Sequence, residues 1–223
     1  MDAQVLTLDL ADWAGGRSDP AWIDALEAGK VLYFPRLGFE LLPSERPLLS
    51  PALLDPKVRN ISLAVDGGGN RRLKGAVGSP EVQATAAGMI DRFRLQASQL
   101  IDALLPHYRA SLRMAPTSFR PARVESRVQS WRADDKRLHV DAFPSRPNYG
   151  ERILRVFGNV NPDGAPRTWR VGEPFEDVAR RFLPRARRYS PWQARLLRTL
   201  RVTKSLRSEY DHLMLQLHDA MKS

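Results

Sequence analysis

Arg137-Leu138-His139-Val140-Asp141-Ala142-Phe143-Pro144-Ser145-Arg146-Pro147 is the stretch whose reading decides the fold. His139 and Asp141 are two residues apart, and in an extended strand such residues point to the same face. An imidazole and a carboxylate then converge on one point. With a second histidine from elsewhere, that pair makes the two-histidine, one-carboxylate facial triad of non-haem iron(II) oxygenases. A His-x-Asp triplet alone is common, and an arbitrary instance is a surface or core pair. This one sits on an expected strand and runs into Phe143-Pro144-Ser145-Arg146-Pro147, a stiff turn suited to a cavity mouth.

The neighbouring sequence is the most β-rich of the chain. From Arg123 to Trp131 the residues alternate, with Val124, Ser126, Val128 and Ser130 on one face and Arg123, Glu125, Arg127, Gln129 and Trp131 on the other. Such a polar face suits a cavity wall, and it equally suits solvent. Ala133-Asp134-Asp135-Lys136 predicts a turn, Arg137–Ala142 a strand, and Arg152–Asn161 a further strand closed by Asn161-Pro162-Asp163-Gly164.

Upstream, residues 4–12 read as an edge strand, Trp22–Ala28 as a short helix and Lys30–Phe34 as a compact strand. Residues 43–60 read as loop with helical turns. The glycines of Asp66–Gly75 are not followed by Gly-Lys-Ser/Thr, so a phosphate loop fails on spacing and a surface loop is expected. Ser79-Pro80-Glu81 opens a long amphipathic helix ending at Pro106. Downstream, helices are expected over Glu173–Leu183, from Ser190-Pro191, and over Ser205–Met221. There is no internal repeat and no second boundary, so residues 1–223 read as a single α+β domain.

Composition narrows the chemistry. The 223 residues are 43% apolar, enough for a core. The absence of cysteine excludes disulfides, thiolate metal sites and iron–sulfur clusters. A metal must therefore sit on histidine, carboxylate or backbone oxygen. The histidines are His107, His139, His212 and His218. His107 reads as a helix C-terminal dipole partner. His212 and His218 are the downstream candidates for the second iron histidine, although a strand holds such a ligand more rigidly than their helix. They are six positions apart on one expected helix, so they do not share a face. The N-terminus carries no signal-peptide pattern and no apolar run is long enough to span a bilayer, so a cytoplasmic protein is expected.

The net charge of +10 is concentrated in one place. Between Val178 and Ser208 lie ten basic residues and no acidic one; without those ten, the remaining 25 basic residues equal the 25 acidic. Arginines interleaved with Phe182, Tyr189, Trp192 and leucines suit a helix at an anionic membrane surface, and a nucleic-acid backbone would also accept them. A non-catalytic protein binding anionic lipid or nucleic acid through residues 178–208 is thus the alternative to an oxygenase.

Three quoted stretches carry a resemblance. Trp131–Pro147, then Gly150–Phe157 with Asn159-Val160-Asn161-Pro162, and the helix Tyr210–Lys222 closely resemble the Kdo hydroxylase family. The resemblance implies a double-stranded β-helix (the jelly roll of 2-oxoglutarate oxygenases) with flanking helices. It implies iron(II) held by His139 and Asp141, with 2-oxoglutarate and dioxygen as co-substrates. The implied reaction hydroxylates carbon 3 of the Kdo sugar in Kdo–lipid A or lipopolysaccharide, giving Ko. Arg127, Arg132, Arg146, Arg152 and Arg155 are then candidate clamps for substrate carboxylate and phosphates. Residues 178–208 would face the membrane, placing the protein peripherally on the inner face of the bacterial inner membrane, with no nucleic-acid partner. Family members continue past the point matching Ser223, and the resemblance implies that a second metal histidine lies there. On that reading the site of these 223 residues is incomplete at the C-terminus, and weak iron binding with slow turnover is expected.

Overall fold

A computed structural model describes residues 4–121, 130–134, 136–167 and 171–223. The chain forms two compact units. One comprises Met1–Ser126 with Val156–Thr168, the other Arg127–Arg155 with Trp169–Ser223.

The first unit begins with β1 (Val5–Thr7), α1 (Pro20–Glu27) and β2 (Val31–Tyr33). Strands β1 and β2 pair in parallel, Leu6 against Leu32, and α1 makes the crossover that parallel pairing requires. Asp19 caps α1 by accepting from the Ala21 amide, with Pro20 at the first helical position. Residues 43–60 are loop with two short 3-10 turns, as their Pro and Ser content predicts.

A three-stranded antiparallel sheet follows: β3 (Ile61–Val65) lies between β4 (Arg71–Lys74) and β5 (Thr117–Phe119). The expected surface loop over Asp66–Gly75 is therefore half strand. Asp66 organises the hairpin, accepting from the amides of Gly68 and Asn70 and from the Asn70 side chain. Ile61 and Leu63 are fully buried and pack against α2 (Pro80–Leu104), whose Ala86, Met89 and Ile90 form the facing stripe. Ser79 caps this helix, as its sequence predicts. Acids buried here are paired: Asp91 takes Arg71 and Arg94, and Glu45 takes Arg92 and the Leu42 amide.

The second unit is built from α3 (Phe175–Phe182), α4 (Pro191–Thr199), α5 (Glu209–Lys222) and the long irregular stretch before them. The strands predicted over Arg137–Ala142 and Arg152–Asn161 are not formed. A strand needs a neighbour for its amides and carbonyls, and among the described residues none lies alongside. This stretch is tied down by single bonds instead. The Lys204 amide donates to the Ser145 carbonyl at 3.0 Å, and Arg207 donates to the Pro144 carbonyl at 2.7 Å. The strand predicted over Arg123–Trp131 lies, apart from its last two residues, outside the described residues.

At its C-terminus α4 ends in a Schellman motif. The Val202 amide donates to the Leu197 carbonyl and the Arg201 amide to the Arg198 carbonyl. Arg201 adopts φ 56° there, a left-handed position that glycine fills at no steric cost and arginine only at about 1 kcal/mol. Helix α5 starts four residues later than its apolar pattern suggests, because Ser208 and Asp211 form a reciprocal capping box.

Candidate active site

All the candidate site residues that the structure describes belong to the second unit, and α5 anchors the chain on either side of His139. At its N-terminus, Asp211 receives the amides of Asn148 (2.8 Å) and Tyr149 (3.2 Å) as well as the Ser208 hydroxyl and amide. Burial raises the Asp211 carboxyl, but the Ser208 hydroxyl and the amides of Asn148, Ser208 and Tyr149 outweigh it and hold the group below its ordinary value of 3.8. Tyr149 takes a left-handed backbone (φ 56°) beside this contact.

The other end of α5 is held by the chain around Arg132. Lys222 is 2% exposed, and its Nζ donates to the Arg132 carbonyl at 2.9 Å. Arg137 donates to the Lys222 carbonyl, and Arg132 Nε donates to Asp219 Oδ2 at 3.0 Å. Both ends of α5 are thus pinned to residues 131–149.

Between those anchors the ring of His218 stands edge-on to that of His139, with centroids 5.5 Å apart and planes at 78°. His139 Nδ1 lies 2.6 Å from the Arg137 carbonyl, which can only accept, so Nδ1 carries the proton and Nε2 presents its lone pair. His218 is oriented in the same way by Asp219 Oδ1, 3.1 Å from its Nδ1. A ring nitrogen fixed through a hydrogen bond on the other nitrogen is the usual preparation of a metal ligand. His212 is placed elsewhere: its Nε2 donates to the Arg187 carbonyl at 2.8 Å and its ring lies near Tyr189.

Asp141 is held through Oδ2 by Arg155, whose Nη2 and Nε stand 2.6 and 2.9 Å away. Donor types for iron are therefore present, one imidazole with Nε2 open and one carboxylate with a single oxygen engaged, and a second such imidazole stands next to the first. Among the described residues no three His, Asp or Glu side chains come close enough together to hold a metal ion.

The arginines separate by partner. Arg132 belongs to Asp219 and stacks on Trp131 at 4.7 Å, while Arg155 belongs to Asp141. Arg146 and Arg152 are exposed. Arg127 lies outside the described residues. Sequence reasoning missed Asp211, Asp219 and Lys222. The spacing of Ser208 and Asp211 is a readable capping signal, whereas the roles of Asp219 and Lys222 depend on contacts with residues more than eighty positions away.

A family model described as 3-deoxy-D-manno-oct-2-ulosonic acid (Kdo) hydroxylase matches residues 13–223. The chain belongs to the Kdo hydroxylase family. Among solved structures it is similar to the Kdo hydroxylase KdoO, described as a non-heme Fe(II) alphaketoglutarate dependent dioxygenase. With KdoO bound to alphaketoglutarate and Fe(III) it shares 41% identity at a TM-score of 0.91, over 98% of this chain and 73% of that one. With the cobalt(II) complex the TM-score is 0.93 at 41% identity, over 99% and 74%. With the succinate and Fe(III) complex it is 0.91 at 41%, over 99% and 73%. No curated protein sequence matches. At this identity and coverage the Kdo hydroxylase fold is shared, an α+β fold of the jelly-roll oxygenase type. The family also sets aside the non-catalytic alternative for the chain as a whole.

Proposed function

We propose that this protein is an iron(II)- and 2-oxoglutarate-dependent dioxygenase that hydroxylates Kdo in lipopolysaccharide. The observation that carries the reading is the 41% identity over 98% of the chain to a Kdo hydroxylase bound to alphaketoglutarate and Fe(III). His139 and Asp141 would hold the metal. The bound iron supplies the activation of dioxygen: one oxygen atom enters the sugar, and the other enters the succinate formed as 2-oxoglutarate loses carbon dioxide.

The chain's own residues prepare that site. The Arg137 carbonyl engages His139 Nδ1, which leaves Nε2 as the ring nitrogen that would bind the metal. Arg155 orients the Asp141 carboxylate and offsets its charge. The pairing of His218 with Asp219, and of Asp219 with Arg132, braces the neighbouring ring against rotation.

At a finer level, the substrate is the lipid-linked precursor Kdo–lipid A and carbon 3 is the position oxidised. Exposed Arg146 and Arg152 suit its carboxylate and phosphates. The protein works peripherally at the anionic inner face of the bacterial inner membrane, a placement supported by the acid-free segment 178–208.

The test is succinate formation from 2-oxoglutarate with Kdo–lipid A, iron(II) and dioxygen. The protein forms succinate in step with hydroxylated sugar, and His139→Ala lowers this by on the order of a thousandfold. Equal turnover by the His139→Ala protein would refute the assignment.

A further inference from the structure

Helix α4 buries one side and leaves an apolar stripe on the other. Ala194 is 2% exposed and Leu197 half-buried, and these mark the inward face. Trp192, Leu196 and the C-cap Leu200 recur every four residues along the solvent side at 70%, 40% and 62% exposure, with Val202 at 56% just beyond. A stripe turned away from its own unit contributes nothing to that unit's core.

The charges around the stripe are equally one-sided. Arg188, Arg195, Arg198, Arg201 and Lys204 are exposed, and none is ion-paired among the described residues. By contrast, Arg180 and Arg181, one helix earlier, are paired with Glu173, Glu176 and Asp177. The backbone adds an independent sign. Arg201 occupies the left-handed position of the Schellman motif, where glycine would be unstrained, so a cation stands at a place the fold alone would give to glycine.

We infer that α4 and its C-terminal turn form an interfacial anchor that inserts Trp192, Leu196, Leu200 and Val202 among the headgroups of an anionic bilayer. The inference rests on the lipid-linked substrate proposed above. Charge complementarity selects this occupant. A second copy meeting the same face would bring unpaired arginines against each other. A nucleic-acid backbone would take the arginines but has no use for three exposed aliphatic side chains. A bilayer interface takes both, and tryptophan is at home there because its ring is apolar and its indole N–H is polar.

The test uses the full chain and flotation with phosphatidylcholine vesicles, either pure or with roughly one third phosphatidylglycerol. The protein floats with the anionic vesicles and not with the neutral ones. Trp192→Ser combined with Leu200→Ser lowers partitioning about tenfold or more. Arg201→Gly lowers it about fivefold while the melting temperature does not fall, since glycine relieves the backbone; this second variant decides the matter if the first is unstable. Flotation that neither variant changes overturns the proposal, as does loss of self-association, with flotation intact, in the double variant. Succinate formation on a deacylated, water-soluble Kdo substrate is followed in parallel and is unchanged by these substitutions. If succinate forms and flotation does not respond, the anchor alone fails. If flotation responds and no succinate forms with any of the proteins, the enzymatic reading fails and the anchor stands.

Discussion

At the scale of single residues, the site depends on which imidazole nitrogen is spent and which is open. His139 and His218 each direct Nδ1 to an acceptor and keep Nε2 free, whereas His212 uses Nε2 on the Arg187 carbonyl. His218→Ala should therefore weaken iron binding on the order of tenfold, and His212→Ala should change it less than twofold. Titration of the apoprotein with iron(II) under anaerobic conditions checks this, and the reverse ranking would show that the ring contact between His139 and His218 is incidental. The His139-x-Asp141 pair can be proposed as a ligand pair from its spacing alone, because ligand chemistry resides in residue type. Arg155 was legible only as a cation. Its engagement with Asp141 is set by how an irregular chain folds back on itself, which no periodicity encodes.

At the scale of elements, helices announced themselves and strands did so less well. Ser79-Pro80 and Ser190-Pro191 marked α2 and α4 because a capping hydroxyl and a proline at the first helical position act locally. The central strand β3 does not stand out in the sequence, although Ile61 and Leu63 alternate with Ser62 and Ala64, because it lies between two loop-like stretches with no proline to mark its ends. The opposite holds at Arg137–Ala142, where alternation with no strand alongside among the described residues gives irregular chain. Further along, Asp211 holds the 148–149 turn to α5, and its effect is measurable. Its carboxyl titrates below the ordinary 3.8 in the folded state. The stability it contributes is therefore complete above that value and is lost as pH falls through it toward the folded-state pKa. Asp211→Asn should cost about 1–2 kcal/mol at neutral pH and should flatten the acid limb of a urea-denaturation series. A variant with an unchanged acid limb would mean that the carboxylate does not hold the 148–149 turn to α5.

For the molecule as a whole, charge and family point the same way. The entire +10 excess lies in one acid-free segment, and that segment includes α4, whose exposed stripe also carries the aliphatic and tryptophan side chains. On the proposal that the substrate is lipid-linked, such a face would meet the bilayer that holds it. No described helix is long and apolar enough to cross a membrane. The division into two compact units was not legible, because the chain enters the first, leaves it near Ser126 and returns to it over Val156–Thr168 without any change in composition.

The most direct test of the central claim is mass spectrometry of the Kdo-containing core sugars from bacteria that lack endogenous Kdo hydroxylation and express this protein. The account predicts a Kdo carrying one additional oxygen, derived from dioxygen when the cells are grown under the labelled gas, and its absence with the His139→Ala protein. Kdo that stays unmodified while the folded protein accumulates, or a modification that persists in the His139→Ala cells, would contradict it.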